Sequence, residues 1–195
     1  MATFAVVLSV VSCTNGDDED EPMATDVEPL PTTASGPVLC DFVPEDAVRV
    51  AIGRDEVTSQ GSLRVQGEAV VAGAQCRVFA EGAADPALDA TIWSAHDFMG
   101  ERVLEVLASG EVDYVFPDAL GPGYGHVIDS FVGENGIEGR GGAVTMALWG
   151  DNIIQVAIND QAEGRDAMAD AVALTQQIAQ VLELPKEPSQ PYPTP

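Results

Sequence analysis

GAVTMALWGDNIIQVAIND, residues Gly142–Asp160, is the stretch that decides the fold. Ala143–Trp149 and Asn152–Ile158 are two apolar, strand-like runs divided by Gly150-Asp151, a good hairpin turn because glycine tolerates positive φ. Val144, Met146 and Leu148 share one face of the first run, and Ile154, Val156 and Ile158 one face of the second. Ala147, Ile153 and Ala157 keep the remaining faces small or apolar, as expected of strands inside a sheet with something covering its back. Glu163–Leu182 is the expected cover: Met168, Val172, Thr175, Ile178 or Ala179, and Leu182 recur at helical spacing.

Upstream of the hairpin, His126–Val132 reads as a strand and Gly133–Gly142 as a glycine-rich loop. Pro117–Gly125, PDALGPGYG, is rich in turn residues and reads as a plain turn, the alternative being an exposed loop whose Tyr124 and Pro122 make a contact surface. Asp113–Phe116 reads as a short strand. Before it, Phe98, Val103, Leu104 and Leu107 predict an apolar helical stripe, capped by Ser94 or Asp97 and ended by Gly110. Leu88–Trp93 alternates with Leu88, Ala90 and Ile92 inward, and Gln75–Ala80 with Cys76, Val78 and Ala80 on one face. Leu63–Ala72 reads as a strand turning at Gly73-Ala74, and Arg54–Gly61 as a loop. Pro44-Glu45-Asp46 opens a short helix that stops at Gly53, with proline wasting no donor and the acids at the positive helix end.

This order predicts an α+β fold: a mainly antiparallel sheet with helices packed on one face, in a single domain over residues 38–184. Residues 1–12 read as a signal peptide, 13–37 as an acidic and Pro/Ser/Thr-rich disordered spacer, and 185–195 as a disordered tail.

Charge is the compositional outlier. The chain carries 32 acidic and 8 basic residues, a formal net charge of −24. Such a surface repels polyanions and offers no basic patch to displace counterions, which excludes nucleic acid as a partner class. It suits a high-salt environment, or a genome whose base composition favours Arg over Lys.

Little in the sequence points to catalysis. His96 and His126 stand 30 residues apart, without the closely spaced pairs of a Zn2+ site or the spacing of a calcium loop, so no metal or cofactor is expected. Ser130 lacks the Gly-x-Ser-x-Gly context of a nucleophile elbow. With 32 acids, carboxylate pairs are inevitable and carry no information. Gly121-x-Gly123-x-Gly125 and Gly139-x-Gly141-Gly142 lack the strand-to-helix position and the lysine of a phosphate loop. If one sheet face is uncovered, Trp149, Phe131 and Phe79 are the aromatic candidates for lining a pocket on it.

Three cysteines partition naturally if Cys13 has a separate chemical fate and Cys40 pairs with Cys76. In an exported protein that pair closes a loop of 36 residues, for which the chain-entropy relation gives about 4 kcal/mol as an upper value. The alternative is two free, buried thiols in a cytoplasmic protein. Ala2–Val11 is too short to span a bilayer and suits the hydrophobic part of a signal peptide, although no Lys or Arg precedes Arg49.

Val10-Val11-Ser12-Cys13 resembles the lipobox of bacterial lipoproteins, and that resemblance implies that Cys13 carries the lipid and becomes the mature first residue. The acidic run Asp17–Glu21 then reads as a self-repelling spacer. Beyond it, Leu39–Gly53 (LCDFVPEDAVRVAIG) and Gln75-Cys76-Arg77-Val78-Phe79 resemble small actinobacterial cell-envelope lipoproteins of a domain-of-unknown-function family. In that family an aromatic commonly sits two residues past the second cysteine; here Val78 is in that place and Phe79 follows. The resemblance implies a first cysteine before a short helix, a second on a strand, and no transferable catalytic residue. The expectation is a non-enzymatic, lipid-anchored extracytoplasmic protein with a binding or accessory role towards an envelope protein. Carriage of a small apolar ligand and an unrecognised extracytoplasmic hydrolase are the alternatives.

Overall fold

A computed structural model describes residues 28–66, 70–129, 131–132, 138–139 and 141–192. The hairpin forms as the sequence predicts. β10 (Gly142–Trp149) and β11 (Asn152–Ile158) pair in register from Ala143↔Ile158 to Trp149↔Asn152, with Gly150 at φ 56° in the turn. The pair lies in the middle of a seven-stranded, wholly antiparallel sheet. Its remaining strands are β3 (Val57–Gln66), β4 (Val70–Ala80), β5 (Leu88–Ser94), β6 (Tyr114–Val115) and β7 (Gly123–Ile128). Their spatial order is β3-β4-β5-β11-β10-β7-β6. Two small pairs stand apart: β1 (Val38–Leu39) with β2 (Val43–Pro44), and β8 (Phe131–Val132) with β9 (Glu138–Gly139).

Among the described residues the fold is α+β, a mainly antiparallel sheet with three α-helices in one domain. Helices α1 (Glu45–Ile52) and α3 (Ala167–Val181) share one face of the sheet, over the row Ile154, Val156 and Ile158. Ala47, Val48, Ala51 and Ile52 make the buried stripe of α1, which Gly53 ends at φ 64°. Small residues seat α3: Thr145 and Ala147 face it from β10, while Gly123 and Gly125 pair with them from β7. A Cβ at Gly125 would overlap the Met168 thioether of α3.

Helix α2 (Phe98–Ser109) lies on the other face, where Val103 packs with Leu148, Ile153 and Tyr124. Its cap is Asp97, whose carboxylate accepts from the Met99 N–H at 2.9 Å; Ser94 instead accepts from the His96 backbone N–H. Phe98, predicted on the apolar stripe, is 75% exposed because it opens the helix before the stripe reaches the sheet.

Several boundaries differ from the sequence reading. The predicted loop Arg54–Gly61 is largely strand, since β3 begins at Val57. The turn predicted at Gly73-Ala74 lies inside β4, where the register shifts opposite Arg64/Val65; glycine there marks a bulge. β7 starts inside the predicted 117–125 loop and ends at Ile128, so Tyr124 is a buried strand residue and not an exposed loop contact. Both flanks expected to be unstructured are in part ordered. Leu30 is buried against the main core, and the carbonyls of Glu28, Pro31 and Thr32 accept from Arg165, Gln177 and Gln180. A proline-rich segment has carbonyls without ladder partners, and the amides on α3 satisfy them. At the other end, residues 185–192 lie along the hairpin turn, with Lys186 O accepting from Gly150 N–H.

Candidate functional site

The disulfide expected between Cys40 and Cys76 is present, with Cα atoms 5.7 Å apart. Cys40 sits in the β1–β2 turn at φ 50°, and Asp41 beside it at φ 69°. Cys76 is a buried residue of β4. Gly61 is the neighbour that admits the bridge: a Cβ there would overlap Gln75 O and press on the Cys40 sulfur. Cys13 lies outside the described residues.

The aromatic candidates do not converge. Trp149 packs on the α1/α3 side against the main core, with the Lys186 ammonium 5.9 Å from its ring centroid. Phe79, half-buried opposite Thr58, belongs to the reverse face. Tyr124 is also on that face, but three strands separate β7 from β4, a distance of about 19 Å at normal strand spacing. The Tyr124 hydroxyl donates to the Met146 sulfur at 3.1 Å, and burial raises its pKa, with the Arg102 charge opposing. Phe131 lies in β8; its side chain is outside the description. Two cavities, of about 260 and about 350 Å3, are lined by none of Trp149, Phe79 and Tyr124.

The larger cavity marks the part of the reverse face that α2 leaves open. Ser62, Arg64, Gln75, Thr91 and Trp93 line it. The cross-strand registers extend this polar field through Gln60, Arg77 and Asp89, with Arg77 Nε 3.5 Å from Asp89. Burial raises the Asp89 pKa, opposed by the Asn159 hydrogen bond and by Arg77. Amides, hydroxyls, a guanidinium and part of an indole are groups suited to holding a polar partner by hydrogen bonds. Alternation alone predicts the inward side of these strands; the open side is not evident because Thr58 and Gln60 fall in the predicted loop Arg54–Gly61.

A second cluster forms where the hairpin turn meets the start of α2. His96 Nε2 and Asp151 Oδ1 lie 2.7 Å apart, and the same oxygen accepts from Ser189 N–H at 2.8 Å. Burial works to raise the Asp151 pKa, but the hydrogen bonds from His96 and Ser189 outweigh it, and the net shift is downward. The Tyr192 ring stacks on His96 with centroids 6.4 Å apart. Burial, with Asp151 and Glu187 nearby, pushes the Tyr192 phenol up to about 12. A histidine beside an ionised acid is a feature of hydrolytic sites. Here the adjacent hydroxyl, Ser94 Oγ, accepts from His96's own backbone N–H, and the C-terminal segment lies over the pair. The geometry is that of a clasp.

Among the described residues, no group of three or more His, Cys, Asp or Glu side chains converges in a way that could hold a metal ion. No helix among them is long and apolar enough to cross a membrane. No protein-family model matches the chain, and no curated protein or solved structure shows significant similarity to it.

Proposed function

We propose that this chain is an extracytoplasmic lipoprotein, acylated at Cys13, whose single domain has a non-enzymatic binding or accessory role in the cell envelope. The observation that carries the reading is the Cys40–Cys76 bond. Such a bond persists in oxidising compartments and is rare where thiols are kept reduced. With those two cysteines committed to each other, Cys13 is the one left for lipid, in the setting that resembles a lipobox. The likeness to actinobacterial envelope lipoproteins points the same way.

The open polar face around Gln75, Thr91 and Trp93 is the favoured place for an envelope protein to contact the domain. Carriage of a small apolar ligand has less support, because Trp149 is occupied by the core and by Lys186. Intact mass after expression in a native-like bacterial host, with and without reductant, tests the proposal. The expected species lacks residues 1–12, carries a diacylglyceryl group, partitions with membranes, and gains two hydrogens on reduction. A full-length, unacylated chain with three free thiols would end it.

A further inference from the structure

Among the described residues, the outer edge of β3 is the longest unpaired strand edge. Its inner edge pairs with β4 from Val57↔Ala80 to Gln66↔Val70, and it ends the strand order. Among the described residues, no backbone or side-chain hydrogen bond reaches its outer edge. Ten residues of strand span about 33 Å. Sheets usually blunt such an edge with Pro, Lys, a short strand or a covering loop. The opposite edge, β6, has two residues; β3 has neither Pro nor Lys.

Its charge pattern is also unlike the rest of the chain. In a protein of net charge −24, Val57–Gln66 contains no acid and one base, Arg64, with Glu56 just outside the strand. Thr58, Gln60, Ser62 and Arg64 share the open face, and Glu56 continues that alternation. Arg49, Arg54, Arg77, Arg102 and Arg165 all have carboxylate partners. Arg64 is exposed and, among the described residues, in no such pair.

We propose that a second copy of this chain docks on the β3 edge, the two strands pairing antiparallel about a two-fold axis at Gln60 to make a continuous fourteen-stranded sheet. That axis sets Arg64 opposite Glu56 of the other copy, and Glu56 opposite its Arg64, so both edge charges are matched. Ser62 meets Thr58 on the open face, and Leu63 meets Val57 on the helix-covered face, where both already pack against the core. Shifting the axis to Arg64 would oppose two guanidinium groups, and shifting it to Gly61 would set Arg64 against Thr58; charge selects the Gln60 register. The contact is isologous and closes as a dimer. It requires no lipid and is independent of the membrane reading.

Sedimentation of the full-length chain bearing Cys13→Ser, from micromolar to millimolar protein at physiological ionic strength, tests this. The expected result is a monomer–dimer equilibrium, with amide exchange in 57–66 slowing as dimer accumulates. Arg64→Glu or Glu56→Arg alone sets like charges opposite each other and weakens dimerisation at least tenfold. Glu56→Arg with Arg64→Glu restores it. Circular dichroism confirms that each variant is folded, and both positions are exposed. A monomer throughout overturns the proposal and leaves the edge to a strand from a different protein. A dimer indifferent to the charge swaps, or without protection at β3, overturns it too.

Discussion

Arg165 and Asp170 form the most deeply buried ion pair described, with two guanidinium nitrogens each 2.6 Å from a carboxylate oxygen. Their side chains are 6% and 3% exposed, so removing one partner strands a charge in the interior. The hydrogen bonds Arg165 donates to Asp170 raise its pKa, with burial opposing; a guanidinium does not lose its proton in a protein, so without its partner the charge is left buried. Asp170→Ala is therefore expected to lower stability by about 3–5 kcal/mol in urea unfolding. Arg165→Met with Asp170→Leu, which removes both charges and keeps the volume, should cost less than that single change. A double variant worse than Asp170→Ala would show that the pair itself, and not an orphaned charge, supplies the stability. None of this was legible in the sequence, where Arg165 reads as one more charged residue at the start of the expected Glu163–Leu182 helix. What helps give the arginine a buried place is Glu28, whose carbonyl accepts from Arg165 Nη1 across 137 positions of sequence.

At the scale of elements, the C-terminal segment acts as a clasp on the hairpin. Ser189 N–H bonds Asp151, Gly150 N–H bonds Lys186 O, and Lys186 Nζ reaches Ala119 O. Truncation after Leu184 removes these partners while Asp151 remains buried, so it should lower stability by about 1–3 kcal/mol in urea unfolding. An unchanged midpoint would mean that the segment is not held in solution. The pH limits follow from two displaced groups. Asp151 titrates below its ordinary range, so its contribution is present above about pH 4 and is lost as pH falls through the lowered value. Tyr192 titrates at about 12, so its contribution holds below the ordinary phenol pKa near 10 and fades as pH rises through 12. An ultraviolet titration should show Tyr192 ionising near 12, and Tyr192→Phe should remove that phase while the upward-shifted Tyr124 remains; an early Tyr192 would place the ring in water. Elements with a local signature were legible: Gly150-Asp151 turns the hairpin and Gly53 ends α1. β3 was not, because Ser59 and Gly61 hold its inward side where larger apolar residues usually sit, Gly61 yielding space to the disulfide.

For the whole molecule, two long-range forces oppose each other: one covalent link and the repulsion of a net charge of −24. The link spans 36 positions and ties the β1–β2 turn to β4, so reduction should lower stability by about 2–4 kcal/mol in urea unfolding, and an unchanged midpoint would count against it. The pairing was readable because three cysteines divide in few ways. The placement of α2 on the face opposite α1 and α3 was harder, since it depends on Leu148 and Ile153 being apolar on the reverse side of strands whose other side is apolar too. Charge acts on the folded state as a whole. Raising ionic strength from about 0.01 to about 0.15 M shortens the screening length from about 30 to about 8 Å, which is less than the width of the sheet. Repulsion among carboxylates on different elements then weakens, whereas the buried Arg165–Asp170 pair is screened much less. The melting temperature should rise with salt over that range, by about 2–4 °C for each kcal/mol recovered in a chain of this size. Sodium chloride and potassium chloride should act alike, because diffuse screening requires no bound cation. A flat or falling curve would mean that the acids are distributed so as not to repel one another, and that the excess negative charge costs the native state little.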